Sequence, residues 1–367
     1  MTAPPRRKAL GLLPVCATTG IGSLPLTQGE LALQMALQLD VPYAPQLPRG
    51  RPEELMVPQA LEGLPGLAVD ADGGCTVDAG AWEAGRAALE ARLSAALAEG
   101  PGGLARGADL LPSPEAWRTL RPFLFEVEAR KLPFAKVQLA GPCTVRWVAR
   151  TAAGAPLSSL PALDAQVYRL VLARALALAR AVRQAGATPL FFLDEPGLYA
   201  LDPRDPAHLL ALQELRLVVA ALQREGALVG LHCCGNTHWG LLLGLGLDVL
   251  SLDVRLSLDA LVEEREALER FLEGGSTLSL GIVPTDLAST YAVEELVGAV
   301  ETAVRSALAP WAASQVLLHA LLTPACGLAM RSVPDAERIL DEVRQAQRLL
   351  RREALAAGEG RAPTARA

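Results

Sequence analysis

The chain is short of several things. Only 4% of its 367 residues are aromatic, it has four histidines and six cysteines, and arginine greatly outnumbers lysine among its basic residues. No apolar stretch is long and clean enough to span a bilayer, which argues against a helical membrane protein. Six cysteines are few for this length and several sit in apolar, strand-like runs. That pattern excludes a disulfide framework and fits a reducing compartment with thiol or metal chemistry. The net charge is −6 and the basic residues are scattered, which argues against a nucleic-acid surface.

What is present is a globular composition, 51% hydrophobic and 20% charged, in a chain long enough for one large barrel or two ordinary domains. Arg6-Arg7-Lys8 ahead of the apolar run 9–16 has the outline of a signal peptide. Pro14 interrupts that run and it continues into a predicted core strand, so the expected location is cytoplasmic, with an N-terminal extension over residues 1–14. The Gly/Arg/Pro/Ala-rich end, residues 357–367, is expected to be a disordered tail.

Between these ends a short apolar run, a Gly/Pro/Asp-bearing loop and an Ala/Leu/Arg/Glu-rich helical segment recur. This alternation predicts βα units on a parallel sheet. Candidate strands fall at 19–24, 41–47, 137–141, 190–194, 228–233, 249–254, 278–283 and 316–322, and candidate helices at 161–185, 206–223, 258–273, 293–309 and 334–352. Eight units close a (β/α)8 barrel, so the expectation is a single-domain α/β TIM barrel over residues 15–356. The stretch 49–107 is too long for a βα loop and reads as an insertion after the second strand, with a small hairpin near 67–77.

The unusual residues gather at the predicted C-terminal strand ends, where such barrels build their active sites. Leu231-His232-Cys233-Cys234-Gly235-Asn236-Thr237 follows one strand, and Thr323-Pro324-Ala325-Cys326-Gly327-Leu328 follows another. Imidazole and thiolate are ligands that zinc prefers, and three protein ligands with an open fourth position mark a catalytic site. Alternation along a strand turns His232 and Cys234 inward together and Cys233 toward the helices. The predicted ligands are therefore His232, Cys234 and Cys326, with Cys233 a structural thiol. Such a site binds a substrate thiol and holds it as a thiolate nucleophile.

Four carboxylates need partners. Asp253 ends a buried strand and is either a fourth zinc ligand that yields to substrate or an ion-pair partner for Arg255. Asp194 and Glu195 share a strand end but face opposite sides. Such a carboxylate either accepts hydrogen bonds from a substrate ammonium group or caps a helix and anchors a loop. Glu62, in Glu62-Gly63-Leu64-Pro65-Gly66, is a further substrate-binding candidate. Gly22-Ser23 and Gly141-Pro142 are tight strand exits whose backbone N–H groups suit a carboxylate. His238 reads as lying beyond the metal ligands or at the surface, and His319 as a core residue in mid-strand.

Thr18-Thr19-Gly20-Ile21-Gly22-Ser23-Leu24-Pro25, Gly141-Pro142-Cys143-Thr144, Asp194-Glu195-Pro196, His232-x-Cys234 and Pro324-Ala325-Cys326-Gly327-Leu328 occur in the order found in the catalytic barrel of cobalamin-independent methionine synthase. Over roughly residues 15–352 the chain resembles that family, above all its short single-barrel forms. The wider superfamily also includes corrinoid:thiol methyltransferases and uroporphyrinogen decarboxylase. The resemblance implies Zn2+ held by His232, Cys234 and Cys326, with Asp253 where the family places a Glu. It implies homocysteine as acceptor, its amino group on Asp194 and its carboxylate on Gly22-Ser23, and transfer of a methyl group to the zinc-activated thiolate.

Three departures qualify this. The chain leaves no room for the duplicate N-terminal barrel of the long enzymes. Gly281-Ile282-Val283-Pro284-Thr285-Asp286 lacks the family's loop histidine, and Asp253 is shorter than Glu. The first two leave the donor open between methyltetrahydrofolate and a methylated corrinoid protein. A corrinoid-dependent enzyme acting on coenzyme M or another small thiol is the second reading. A metal-free decarboxylase barrel has no use for the His/Cys/Cys set, and a non-catalytic zinc- or thiol-binding protein completes the alternatives.

Overall fold

The computed structural model describes residues 9, 11–98, 108–286 and 291–359. An antiparallel hairpin pairs β1 (Leu67–Val69) with β2 (Cys75–Val77), close to the hairpin predicted from sequence. The main sheet begins with β3 (Phe134–Ala140), and the short β4 (Arg150–Thr151) pairs in parallel with β2. It continues through β5 (Thr188–Asp194), β6 (Leu228–Cys233), β7 (Val249–Asp253), β8 (Thr277–Val283) and β9 (Leu321–Pro324). The order is β3-β5-β6-β7-β8-β9 and every neighbouring pair is parallel. Each parallel step needs a crossover, and helices supply it.

The helix Pro206–Arg224 shows why these segments are helical. Pro206 sits in its first turn, the Asp205 side chain accepts from the Ala207 N–H, and Ala211, Leu215, Val218, Val219 and Leu222 bury one face. Burying each such leucine or valine side chain is worth roughly 1.5–3 kcal/mol relative to exposure. The segment predicted as one helix at 258–273 is two, Val254–Glu263 and Arg265–Glu273, joined at Glu264.

The six ladder strands form a curled half-barrel, TIM-barrel-like but not the closed eight-stranded barrel expected. Residues 19–24 and 41–47 make no ladder. These segments and the adjacent Thr18 contribute isolated parallel bridges only: Thr18 to Leu322 on β9, Ser23 to Gln46, and Tyr43 to Lys136 on β3. Pro42 and Pro45 remove two of the donors a ladder would use. Gly20 is crossed by the Tyr43 ring so closely that no Cβ fits there. The predicted strand 316–322 also shifts: residues Pro310–His319 are helical and β9 begins at Leu321. His319 therefore ends a helix rather than lying in mid-strand, since a continuous apolar run fits either state.

Ala9 and Leu13 are buried with Ala17, Val41, Leu190, Phe192, Leu228, Val249 and Leu321, so these two residues of the supposed N-terminal extension are part of a packed core. At the other end the helix Val333–Glu359 covers the first residues of the predicted tail; residues 1–8, 10 and 360–367 of the two terminal segments lie outside the described residues.

Alternation along the strands then grades the inner face. Leu190, Phe192 and Asp194 share one face of β5, while Gly230 and His232 on β6, and Ser251 and Asp253 on β7, follow in register. The interior is apolar at the N-terminal strand ends and polar at the C-terminal ends. That gradient places the chemistry.

Candidate metal centre

His232 lies at the C-terminal end of β6, in register with Asp194 on β5 and Ser251 on β7. Its Nδ1 is 3.0 Å from Ser251 Oγ, which orients the ring and leaves Nε2 for another partner. Among the described residues Nε2, although buried, meets no hydrogen-bond partner. Cys234 follows two residues on, and Cys326 follows β9. The ligand atoms of His232, Cys234 and Cys326 lie within 4.8 Å of one another. Cys233 turns the other way into the helix-facing core, its Sγ 3.4 Å from the Gly235 carbonyl.

Packing fixes the two distant pieces. Gly281 on β8 lets the Ala325 backbone approach where a side chain would collide, and the Ala325 N–H donates to the Val283 carbonyl at 2.8 Å. Thr237 Oγ1 donates to the Leu198 carbonyl at 2.7 Å, tying the His232 loop to the exit of β5. Between the two thiols charge is unequally shared. The Cys234 thiol beside it draws Cys326 down to about 4 against the effect of burial. The same contact, with burial, pushes Cys234 above the ordinary thiol range. Two adjacent thiols, next to a buried imidazole nitrogen that meets no hydrogen-bond partner among the described residues, are a donor set that suits zinc.

These three residues open onto a cavity of ≈ 610 Å³ also lined by Gly22, Ser23, Gln46, Arg49 and Asp194. Asp194 is buried, and its Oδ1 meets no partner among the described residues. Burial pushes its carboxyl up to about 6, opposed by the Lys136 ammonium and by His232. Arg49 sits at the mouth, donating to the carbonyls of Ala329 at 3.1 Å and Arg331 at 2.8 Å.

Three predicted site residues are elsewhere engaged. Asp253 caps the helix that follows it, its Oδ1 accepting from the N–H groups of Arg255 at 2.9 Å and Leu256 at 3.4 Å. It is not in the metal-ligating group, because a strand that turns directly into a helix needs its last carboxylate for the exposed N–H groups. Glu195 points away from the cavity and accepts from the N–H groups of Cys143 at 3.0 Å and Thr144 at 2.6 Å, at the start of the helix Pro142–Val148. Burial pushes its carboxyl up to about 7. Glu62 accepts from the Ser113 N–H at 3.0 Å and lies 3.9 Å from Arg174, on a separate cavity of ≈ 190 Å³.

Sequence reasoning missed two residues that matter. Ser251 lies two residues before Asp253, and the period of two along β7 puts both on the inner row. Lys136 begins the strand-like run before Gly141, and a lysine inside a parallel sheet in a chain with so few of them is itself a signal.

No family model matches the sequence, and no curated protein matches it. Its fold does have solved counterparts. A methyltransferase from Methanosarcina mazei superposes with a TM-score of 0.54 at 14% identity, covering 94% of this chain and 95% of that one. The fold is shared with a methyltransferase. A candidate vitamin-B12-independent methionine synthase from Listeria monocytogenes aligns over 63% of this chain and 68% of its own, with a TM-score of 0.41 and 18% identity. Among the described residues no helix is long and apolar enough to cross a membrane.

Proposed function

We propose that the protein is a zinc-dependent thiol S-methyltransferase whose acceptor is homocysteine, giving methionine. The observation that carries this is the convergence of His232, Cys234 and Cys326 within 4.8 Å at the base of a cavity shared with Asp194 and Gly22-Ser23. With Asp253 occupied as a helix cap, the protein offers one imidazole and two thiolates and leaves a fourth position for a substrate sulfur. Zinc held by His232, Cys234 and Cys326 would lower the pKa of the acceptor thiol and so supply a thiolate at neutral pH.

The chain's own groups do the positioning. Ser251 engages His232 Nδ1, which leaves Nε2 as the nitrogen for the metal. Asp194, one of whose carboxylate oxygens meets no hydrogen-bond partner among the described residues, accepts hydrogen bonds from the acceptor ammonium. Gly22 and Ser23 face the acceptor carboxylate. Fixing both ends of the acceptor leaves its sulfur at the bottom of the cavity, oriented for in-line displacement and shielded from water. The donor, a methylated corrinoid protein or methyltetrahydrofolate, approaches from the open mouth.

Asp194 also ranks the acceptors. Coenzyme M or another amine-free thiol would leave its buried oxygen unsatisfied, at a cost of about 1–3 kcal/mol, so homocysteine comes first. The test is to offer zinc-loaded protein homocysteine or coenzyme M with methylcobalamin or methyltetrahydrofolate, and to measure the methylated product. Methionine as the dominant product supports the proposal. A zinc-loaded, folded protein that methylates no thiol with either donor would leave the non-catalytic zinc-binding reading.

A further inference from the structure

Behind Ile21, one of the residues lining the cavity, lies a buried cation that the proposed chemistry has not yet used. Lys136 on β3 is 1% exposed. Its ammonium donates to the Ile21 carbonyl at 2.6 Å and to Gln138 Oε1 at 3.1 Å, and it lies 4.8 Å above the Phe192 ring. Burying an ammonium group is costly unless something uses its charge.

The Ile21 carbonyl belongs to the same peptide unit as the Gly22 N–H. The described residues contain no cis peptide, so the two groups point in opposite directions. Among the described residues no acceptor meets the N–H of Ile21, Gly22 or Ser23, although Ile21 and Gly22 are buried and all three residues line the cavity. Backbone N–H groups that line a cavity without a protein acceptor are open to water or to an anionic ligand. A cation bonded to the carbonyl side of a peptide polarises it and makes its N–H a stronger donor to an anion.

The next peptide is fixed as well. Gln46 N–H donates to the Gly22 carbonyl at 3.0 Å, and a Cβ on Gly22 would stand 2.6 Å from Gln46 Oε1. Behind it runs a buried amide chain: Gln138 Nε2 to Gln46 Oε1 at 3.2 Å, Gln46 Nε2 to Gln59 Oε1 at 2.7 Å, and Gln59 Nε2 to the Ala116 carbonyl at 2.9 Å. These side chains hold residues 20–23 where a strand ladder is missing.

We infer that Lys136 is a positioning and specificity-determining residue: through the Ile21–Gly22 peptide it makes this segment a subsite for the carboxylate of the acceptor. Asp194 provides the opposite charge for an ammonium group. The two together complement a zwitterionic α-amino-acid head rather than a neutral thiol. The inference rests on the proposal that the cavity takes homocysteine with its carboxylate at Gly22-Ser23, and it deepens that proposal by adding Lys136 as a residue that sets the preference for a carboxylate there.

The test is calorimetric binding to the zinc-loaded protein, using homocysteine and its carboxamide, in wild type, Lys136→Met and Lys136→Gln. Wild type should prefer the carboxylate. In Lys136→Met the Kd for homocysteine should rise about tenfold or more, as for loss of a charge-assisted hydrogen bond, with the carboxamide within about twofold of wild type and zinc content unchanged. Lys136→Gln keeps a donor at the carbonyl without the charge, and it carries the same comparison if the methionine variant fails to fold. Equal weakening of both ligands, or no change for homocysteine, overturns the inference alone. Wild-type protein that binds neither compound overturns the thiol-pocket proposal and this inference with it.

Discussion

Replacing Gly281 by alanine sets a methyl carbon 2.7 Å from the Cα of Ala325 and 2.7 Å from the Leu252 carbonyl oxygen. Both are backbone atoms, so no rotamer relieves the contact. Ordinary contact begins near 3.4 Å, and the exit of β9 must therefore retreat by about 0.7 Å if β7 and β8 hold their pairing. Cys326 is the next residue along that exit. Zinc–ligand distances tolerate only about ±0.2 Å, so one of the three proposed ligands is carried out of range. Overpacking of this kind costs about 1–3 kcal/mol of stability, and displacement of a ligand should lower zinc affinity about 10–100-fold, as loss of supporting contacts does. The assay is zinc competition against a chromophoric chelator, with urea unfolding of the same samples. Gly298→Ala is the control: its Cβ meets nothing within 4 Å on the helix Val293–Ala307, so it should gain roughly 0.5–1 kcal/mol and leave zinc affinity unchanged. A folded Gly281→Ala protein that holds zinc as tightly as wild type would refute the coupling between β8 and the metal centre.

Three further outcomes follow from individual contacts. Ser251→Ala removes the partner of His232 Nδ1 and should weaken zinc binding about 10–100-fold with little change in melting temperature; unchanged affinity by the same competition assay would show that the ring is held by packing alone. Asp253→Ala should lose roughly 0.5–2 kcal/mol in urea unfolding as a helix cap while keeping its full zinc content, and loss of zinc would restore the discarded fourth-ligand role. Burial lowers the Lys136 ammonium from 10.5 to about 8, against the pull of Asp194. A lowered pKa means that this group's contribution to stability is present above 10.5 and lost as pH falls through about 8. Wild type should therefore gain stability relative to Lys136→Met as pH rises through that window, and parallel stability curves across it would contradict this.

Much of the fold is legible in the apolar runs. The runs at β5, β6, β7 and β8 are buried along nearly their whole length, so their bounds can be read to within a residue or two. Residues 41–47 look equally apolar but carry Pro42 and Pro45, and a hydropathy pattern does not show which N–H groups a ladder requires. Val316-Leu317-Leu318 is apolar without period, so helix and strand were indistinguishable there. The metal-ligating trio was legible because spacing and strand alternation alone turn His232 and Cys234 to one side. The carboxylates were not. Asp194, Glu195 and Asp253 all end strands, and what separates them is which exposed helix N–H groups lie within reach, a matter of loop geometry. Ser251 and Lys136 required the register between strands, which appears only when His232 is seen opposite Ser251 and the Ile21 carbonyl above the Lys136 ammonium.

The central claim is that two segments some ninety residues apart form one zinc site. It is tested most directly by zinc content per chain in wild type and in Cys326→Ser, on protein purified anaerobically without chelator. The account predicts about one zinc per wild-type chain and a large loss in the variant, with circular dichroism unchanged. Folded wild-type protein that takes up no zinc, or a Cys326→Ser variant that retains it in full, would contradict the account.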